Sequence, residues 1–157
     1  MGVIYLPVKR ELYFAEETLG AYKLSDFTAR SGASLEELIA KAVHLPIKDD
    51  HDKFVIVASR SHLSPETEDY IEKMKHCHSD VELISSGSSI KICLVAEGKA
   101  DVYPRFAPTM EWDTAAGEVI LKEAGGRVEQ LAGGPLNYNK ESLKNPHFIC
   151  KSPFWKD

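Results

Sequence analysis

A chain of 157 residues, 43% hydrophobic and 27% charged, has apolar side chains for one ordinary core and too few for two, so a single domain over 1–157 is expected. Its 24 acidic residues against 19 Lys and Arg give a formal charge of -5. That balance excludes a general nucleic-acid surface, which needs a clustered basic face, and requires any anionic ligand to be held locally. Three cysteines, Cys77, Cys93 and Cys150, form an odd set without CxxC spacing, which predicts reduced thiols. No run approaches a membrane span, and the start MGVIYLPVKRELYFAEE lacks signal-peptide order, so a cytoplasmic protein is expected.

Residues 2 to 24 hold three short β-like runs, GVIYLP, ELYFAE and GAYKL, which predict an antiparallel start. Ser34-Leu35-Glu36-Glu37 fits a capping box, with Leu35, Leu38, Ile39 and Ala42 as a partial apolar stripe for a short helix ending before Pro46. KFVIVAS (53–59) is a continuous apolar run, as in a strand covered on both faces. In the helix that follows, Ser64 is the N-cap and Pro65 the first residue, with Tyr70, Ile71, Met74 and Cys77 on one side. The alternation repeats with strand VELIS (81–85), a helix from Ser88 to Glu97, strand ADVYPRF, and a helix from about Glu111 to Ala124 stopped by Gly125-Gly126. Such alternation indicates an α/β fold, a layered mixed sheet with flanking helices.

Ligands of α/β sheets collect where strands end and helices begin, because unpaired N–H groups and the positive dipole end point there. Three such junctions carry polar residues: Ser59-Arg60-Ser61-His62, then Ser85-Ser86-Gly87-Ser88-Ser89-Ile90-Lys91, then Arg105 through Asp113. In the second, Gly87 permits close backbone approach, Ser88 can cap, and Lys91 lies one turn in. Together the junctions provide hydroxyls, helix N-termini, a lysine, an arginine and a histidine, a set suited to phosphate. Each alone has a plainer reading: a serine-rich start is a cap, Arg105 a solvated strand end, His62 a turn residue. Asp113, directly after Trp112, is by itself a first-turn acid favoured by roughly 0.3–1 kcal/mol at the positive end of its helix. Asp49-Asp50-His51-Asp52 reads as a solvated turn, and His76-Cys77-His78 lacks the spacing of a zinc site.

The order SRSH, GSSIK, LVAEGKADVYPRF, PTMEWDTAAGEVILKEAGGRV and PLNYNKESLKNP resembles the C-terminal half of the CysQ-type 3'(2'),5'-bisphosphate nucleotidases of the inositol monophosphatase superfamily. WDTAAG followed by EAGG matches the second signature of that superfamily. The resemblance implies that Asp113 ligates an active-site magnesium ion and touches substrate. It implies that His62, Gly87, Ser88 and Lys91 hold the nucleotide and its phosphates, and that Arg105 stands where inositol monophosphatases tend to carry an acid, suiting a second phosphate. Trp112 would pack the helix start against the sheet, and Ala115, Ala116 and Gly117 would let neighbouring backbone approach.

The implied activity is magnesium-dependent hydrolysis of adenosine 3',5'-bisphosphate, a by-product of sulfate assimilation. The family's GEE-like and DPxDGT motifs, which supply most magnesium ligands, do not occur in this sequence. The chain is therefore expected to be the substrate-binding half, without a catalytic group of its own, inactive alone, and partnered by a missing N-terminal half or by self-association through an exposed apolar face. A non-catalytic phosphate-binding module and an inositol monophosphatase are the open alternatives.

Overall fold

The structure is a computed structural model that describes residues 1–28, 32–47, 52–59 and 63–156. Two sheets stack with helices between and outside them. The first is an antiparallel meander of β1 (Gly2–Leu6), β2 (Glu11–Glu16), β3 (Gly20–Leu24) and β4 (Val43–His44), in that order. The second contains β5 (Phe54–Ser59), β6 (Val81–Ser86), β7 (Val102–Arg105), β8 (Arg127–Gln130) and β9 (Phe148–Lys151), in the order β6-β5-β7-β9-β8. The helices are α1 (Leu35–Lys41), α2 (Pro65–Cys77), α3 (Ile90–Glu97) and α4 (Glu111–Glu123). The mixed α/β architecture expected from the alternation is the one observed.

Its layers follow from side-chain period. Along β5, Val55 and Val57 face a large core shared with α3, α4 and the first sheet, while Ile56 faces Ile71 and Met74 of α2 on the other side. Leu12, Phe14 and Leu24 turn to the outer face of the first sheet, where Leu38 and Ile39 of α1 cover them. The order is therefore α1, first sheet, α3 with α4, second sheet, α2. Helices α3 and α4 are sandwiched rather than flanking, because IKICLVAE is apolar almost all round and buries Ile92, Cys93, Val95 and Ala96. Ile120 of α4 is fully enclosed there, a burial that contributes roughly 1.5–3 kcal/mol.

Gly117 sets the distance between the two central helices. A Cβ at that position would lie 2.9 Å from Ile92 Cδ1, so the close neighbour here is a side chain; the expected approach of backbone occurs at Ala116, whose carbonyl oxygen crowds the place where a Cβ on Gly2 would stand. Charged groups are buried in this layer too, Glu97 the most completely. Glu97 accepts hydrogen bonds from the Tyr13 hydroxyl and from Lys23 Nζ at 3.1 Å, and pairs with Lys99 at 2.7 Å, tying α3 to the first sheet. Burial works against its ionisation, but Lys99, Tyr13 and Lys23 outweigh it and hold the carboxyl below the usual range.

Several local expectations change. Ser34 and Ser64 cap α1 and α2 as read, with the Glu37 capping box complete. Ser88 does not cap: it takes a left-handed backbone, φ 49, and Ser89 is the N-cap of α3, without a side-chain cap bond. Cys77 is exposed, since Thr67, Ile71 and Met74 form the buried face of α2. Trp112 does not pack the start of α4 against the sheet; it is 66% exposed, because Glu111, Thr114 and Gly117 take the inward positions and turn residue 112 outward. Strands β4, β8 and β9 are too short to announce themselves by alternation.

Candidate functional site

Parallel pairing assembles the junctions. Strands β5, β6 and β7 run in one direction, so their C-terminal ends share one edge of the second sheet. Ser59 stands opposite Ser86 in the β5–β6 register, and Arg105 Nη1 reaches Ser59 Oγ at 3.5 Å from the neighbouring strand. Helices α3 and α4 begin just beyond that edge, as a ligand site in a parallel sheet requires.

A cavity of about 170 Å³ opens there, lined by Ser59, Ser88, Lys91, Arg105 and Asp113 among others. Four of the six residues expected in the site, Ser88, Lys91, Arg105 and Asp113, thus share one pocket. Gly87 precedes Ser88 in the turn but does not line it, and His62 lies outside the described residues, as do Asp49, Asp50 and His51 of the acidic turn. The other histidine candidates are engaged elsewhere: His76 Nδ1 meets the Glu72 carbonyl at 2.7 Å, and the His78 ring stacks on Phe54 at 3.7 Å.

Lys91 is 3% exposed. Its ammonium donates to the Ser88 carbonyl at 2.9 Å and the Ser86 carbonyl at 3.3 Å, and lies 5.1 Å from the Tyr103 ring centre. The left-handed turn at Ser88 is what aims that carbonyl back at Lys91. Of three ammonium protons, two are thereby occupied and one remains for a ligand. Burial, and then the Arg105 guanidinium, push the ammonium down to about 8.

Arg105 ends β7. It donates from Nη2 to the Pro108 carbonyl at 3.1 Å, and its buried Nε has no partner among the described residues. Donors therefore remain for an anion. Asp113 stands at the rim in the first turn of α4, with Oδ2 accepting the Met110 N–H at 2.8 Å.

The pocket is thus two cations with hydroxyls and one carboxylate, a set of groups whose chemistry suits a phosphate on one side and a cation on the other. A magnesium ion needs several oxygen ligands. Asp113 offers one carboxylate with one oxygen already bonded, and no group of three or more His, Cys, Asp and Glu able to hold a metal occurs among the described residues. The described residues alone do not fit a magnesium centre.

Sequence reasoning missed Tyr103 and Thr114 of the lining, and held Thr109 only as part of the junction from Arg105 to Asp113. Tyr103 was readable in principle, being two residues before Arg105 on the same strand face. Thr114 lines the pocket but is saturated: it donates to the Glu111 carbonyl and accepts from Tyr138 and Asn145. Glu111 was missed as well. It is 8% exposed and accepts the Asn139 and Lys140 N–H groups at 2.7 and 3.2 Å; the Lys140 ammonium holds its carboxyl below the usual range.

The family model described as the inositol monophosphatase family matches residues 1–153. The chain belongs to the inositol monophosphatase family. A crystal structure of CysQ from Bacteroides thetaiotaomicron, a bacterial member of that family, is 60% identical with a TM-score of 0.91, covering 98% of this chain and 58% of that one. The 3'(2'),5'-bisphosphate nucleotidase CysQ of Escherichia coli strain K12 is 36% identical over 149 residues, covering 94% of this chain and 53% of the relative. Staphylococcal IMPase-II, 21% identical over 96% of this chain and 52% of its own, shares the fold with a TM-score of 0.67. The chain spans about half the length of the curated relatives it matches. Among the described residues no helix is long and apolar enough to cross a membrane.

Proposed function

We propose that this chain supplies the substrate-binding part of a 3'(2'),5'-bisphosphate nucleotidase that converts adenosine 3',5'-bisphosphate to AMP and phosphate in the cytoplasm. The observation that carries this reading is the convergence of Lys91 and Arg105 on one pocket. Two cations suit a ligand with two phosphates better than an inositol monophosphate, whose sugar hydroxyls call for an acceptor. Similarity to CysQ proteins at 60% and 36% identity supports the same class. In this reading Ser88 and Gly87 present the turn before α3 to a phosphate, His62 borders the nucleotide, and residues 1–157 act as one domain.

Magnesium enters as part of the proposal, with Asp113 as one ligand. The GEE-like and DPxDGT motifs are not in this sequence, so further carboxylates have to come from other polypeptide. Val3 in β1 and Val8 in the turn after it, 51% and 96% exposed, leave apolar side chains uncovered at this end of the first sheet. We assign that surface to such a partner, with a second copy of this chain as the competitor.

Calorimetric titration with adenosine 3',5'-bisphosphate, with and without magnesium, tests the reading. Binding without the metal that tightens when it is added, together with negligible turnover by the chain alone, is expected. Failure to bind in either condition overturns it, and turnover at ordinary enzymatic rates, about 1 per second or more, overturns the need for further carboxylates. Binding that ignores magnesium favours the non-catalytic module instead.

A further inference from the structure

Both charged arms of the pocket rest on one strip of backbone, residues 108 to 110. The Pro108 carbonyl accepts from Arg105 Nη2 at 3.1 Å, and the Met110 N–H donates to Asp113 Oδ2 at 2.8 Å. The strip itself is irregular chain between β7 and α4, so something has to fix it.

A residue more than thirty positions further on does so. Asn145 is 4% exposed, and its backbone N–H donates to the Thr109 carbonyl at 2.8 Å. Its side-chain Nδ2 lies 2.9 Å from the Met110 carbonyl, 3.3 Å from Thr109 Oγ1 and 3.1 Å from Thr114 Oγ1. The Met110 carbonyl can only accept, so the amide nitrogen, not the oxygen, has to face the strip. The chain around Asn145 is itself tied to α4: the Glu111 N–H donates to the Leu143 carbonyl at 2.9 Å, and Met110 forms a bridge with Lys144.

We propose that Asn145 is a positioning residue of the site, holding residues 108–110 so that Arg105 and Asp113 keep their mutual placement across the pocket. Asn145 touches no ligand in this account and acts through the strip. Truncating it removes the Nδ2 contacts with the Met110 carbonyl, Thr109 Oγ1 and Thr114 Oγ1, leaving the Met110 carbonyl the Asp113 N–H at 2.9 Å and Thr109 only the backbone bond from residue 145; the loosened strip moves the acceptor of Arg105 and the donor to Asp113 together. The ligand arm of its test rests on the bisphosphate reading above; the structural arm does not.

The test uses the full chain with Asn145→Ala and, should that variant not fold, Asn145→Ser, whose hydroxyl is too short to reach the strip. Amide exchange is read at Met110 and Asp113 and compared with Ile56 and Val57 of β5. Exchange at the first pair should quicken by about tenfold while β5 stays unchanged. Affinity for adenosine 3',5'-bisphosphate is measured in the wild-type and Arg105→Ala backgrounds. Asn145→Ala should weaken binding about tenfold in the first and clearly less in the second, because one of the two arms it positions is already gone. Equal quickening across β5, or an equal affinity loss in both backgrounds, reduces Asn145 to a fold-stabilising residue and overturns the proposal. If the wild-type chain binds no bisphosphate, the bisphosphate reading falls and the exchange pattern alone decides for or against positioning.

Discussion

The protonation of Lys91 gives the sharpest prediction of ligand behaviour. With its ammonium near 8, about ten parts in eleven are charged at pH 7 and about one part in eleven at pH 9. Phosphate groups lose their second proton near pH 6, so the ligand's charge hardly changes over that interval. Beside Lys91, the buried Cys150 thiol, pushed well above its ordinary value, stays neutral. The share of binding-competent lysine is therefore what varies, and affinity for adenosine 3',5'-bisphosphate should fall about tenfold from pH 7 to pH 9. The sign follows from the site: the anion favours the charged lysine, so binding draws a proton from solvent wherever the free lysine is mostly neutral. Titration calorimetry in buffers of different ionisation enthalpy reads this uptake directly, with about half a proton per ligand expected at pH 8. Lys91→Met should bind more weakly with no such slope. A wild-type affinity that is flat from pH 7 to pH 9, or a slope that survives in Lys91→Met, would refute the placement of a phosphate on this side chain.

Two further predictions concern the frame around the pocket. Gly117→Ala gains about 1 kcal/mol of helix propensity but drives a methyl against the Cδ1, Cγ2 and Cβ of Ile92, whose β-branched side chain has one comfortable rotamer in a helix, so a net loss of about 1–2 kcal/mol is expected. Urea denaturation showing equal or greater stability would mean that the α3–α4 crossing is looser than drawn. Glu97→Gln leaves Lys23 with Glu11, 2.9 Å away, as its remaining ion-pair partner, and should cost about 3 kcal/mol, the low end for breaking a buried pair. A loss below about 1 kcal/mol would show that water reaches this cluster in solution.

Much of the architecture was legible in the order of residues, for local reasons. FVIVAS is apolar without a break because β5 is covered on both faces, and Ser34 and Ser64 announce helix starts through bonds spanning three residues. The candidates for phosphate contact were legible too, because strand-to-helix junctions are found by pattern alone, and because the WDTAAG and GSSIK stretches resemble a known family. Trp112 shows where that reasoning stops: a bulky aromatic beside an acid suggests packing, yet helix phase turned it to solvent.

The sequence by itself determined the alternating elements, the caps of α1 and α2, the polar residues of the strand-to-helix junctions and the family likeness. Tertiary structure alone decided that three junctions 20 to 30 residues apart meet, since parallel pairing of β5 with β6 and β7 puts their ends at one edge. It alone decided that Lys91 is buried under Tyr103 with carbonyls occupying two of its protons, and that Asn145 braces the strip beneath Arg105 and Asp113. Local pattern encodes which conformation a segment takes. Burial, register and long-range hydrogen bonds depend on what the rest of the chain brings against it, and they set the charge and geometry of this pocket.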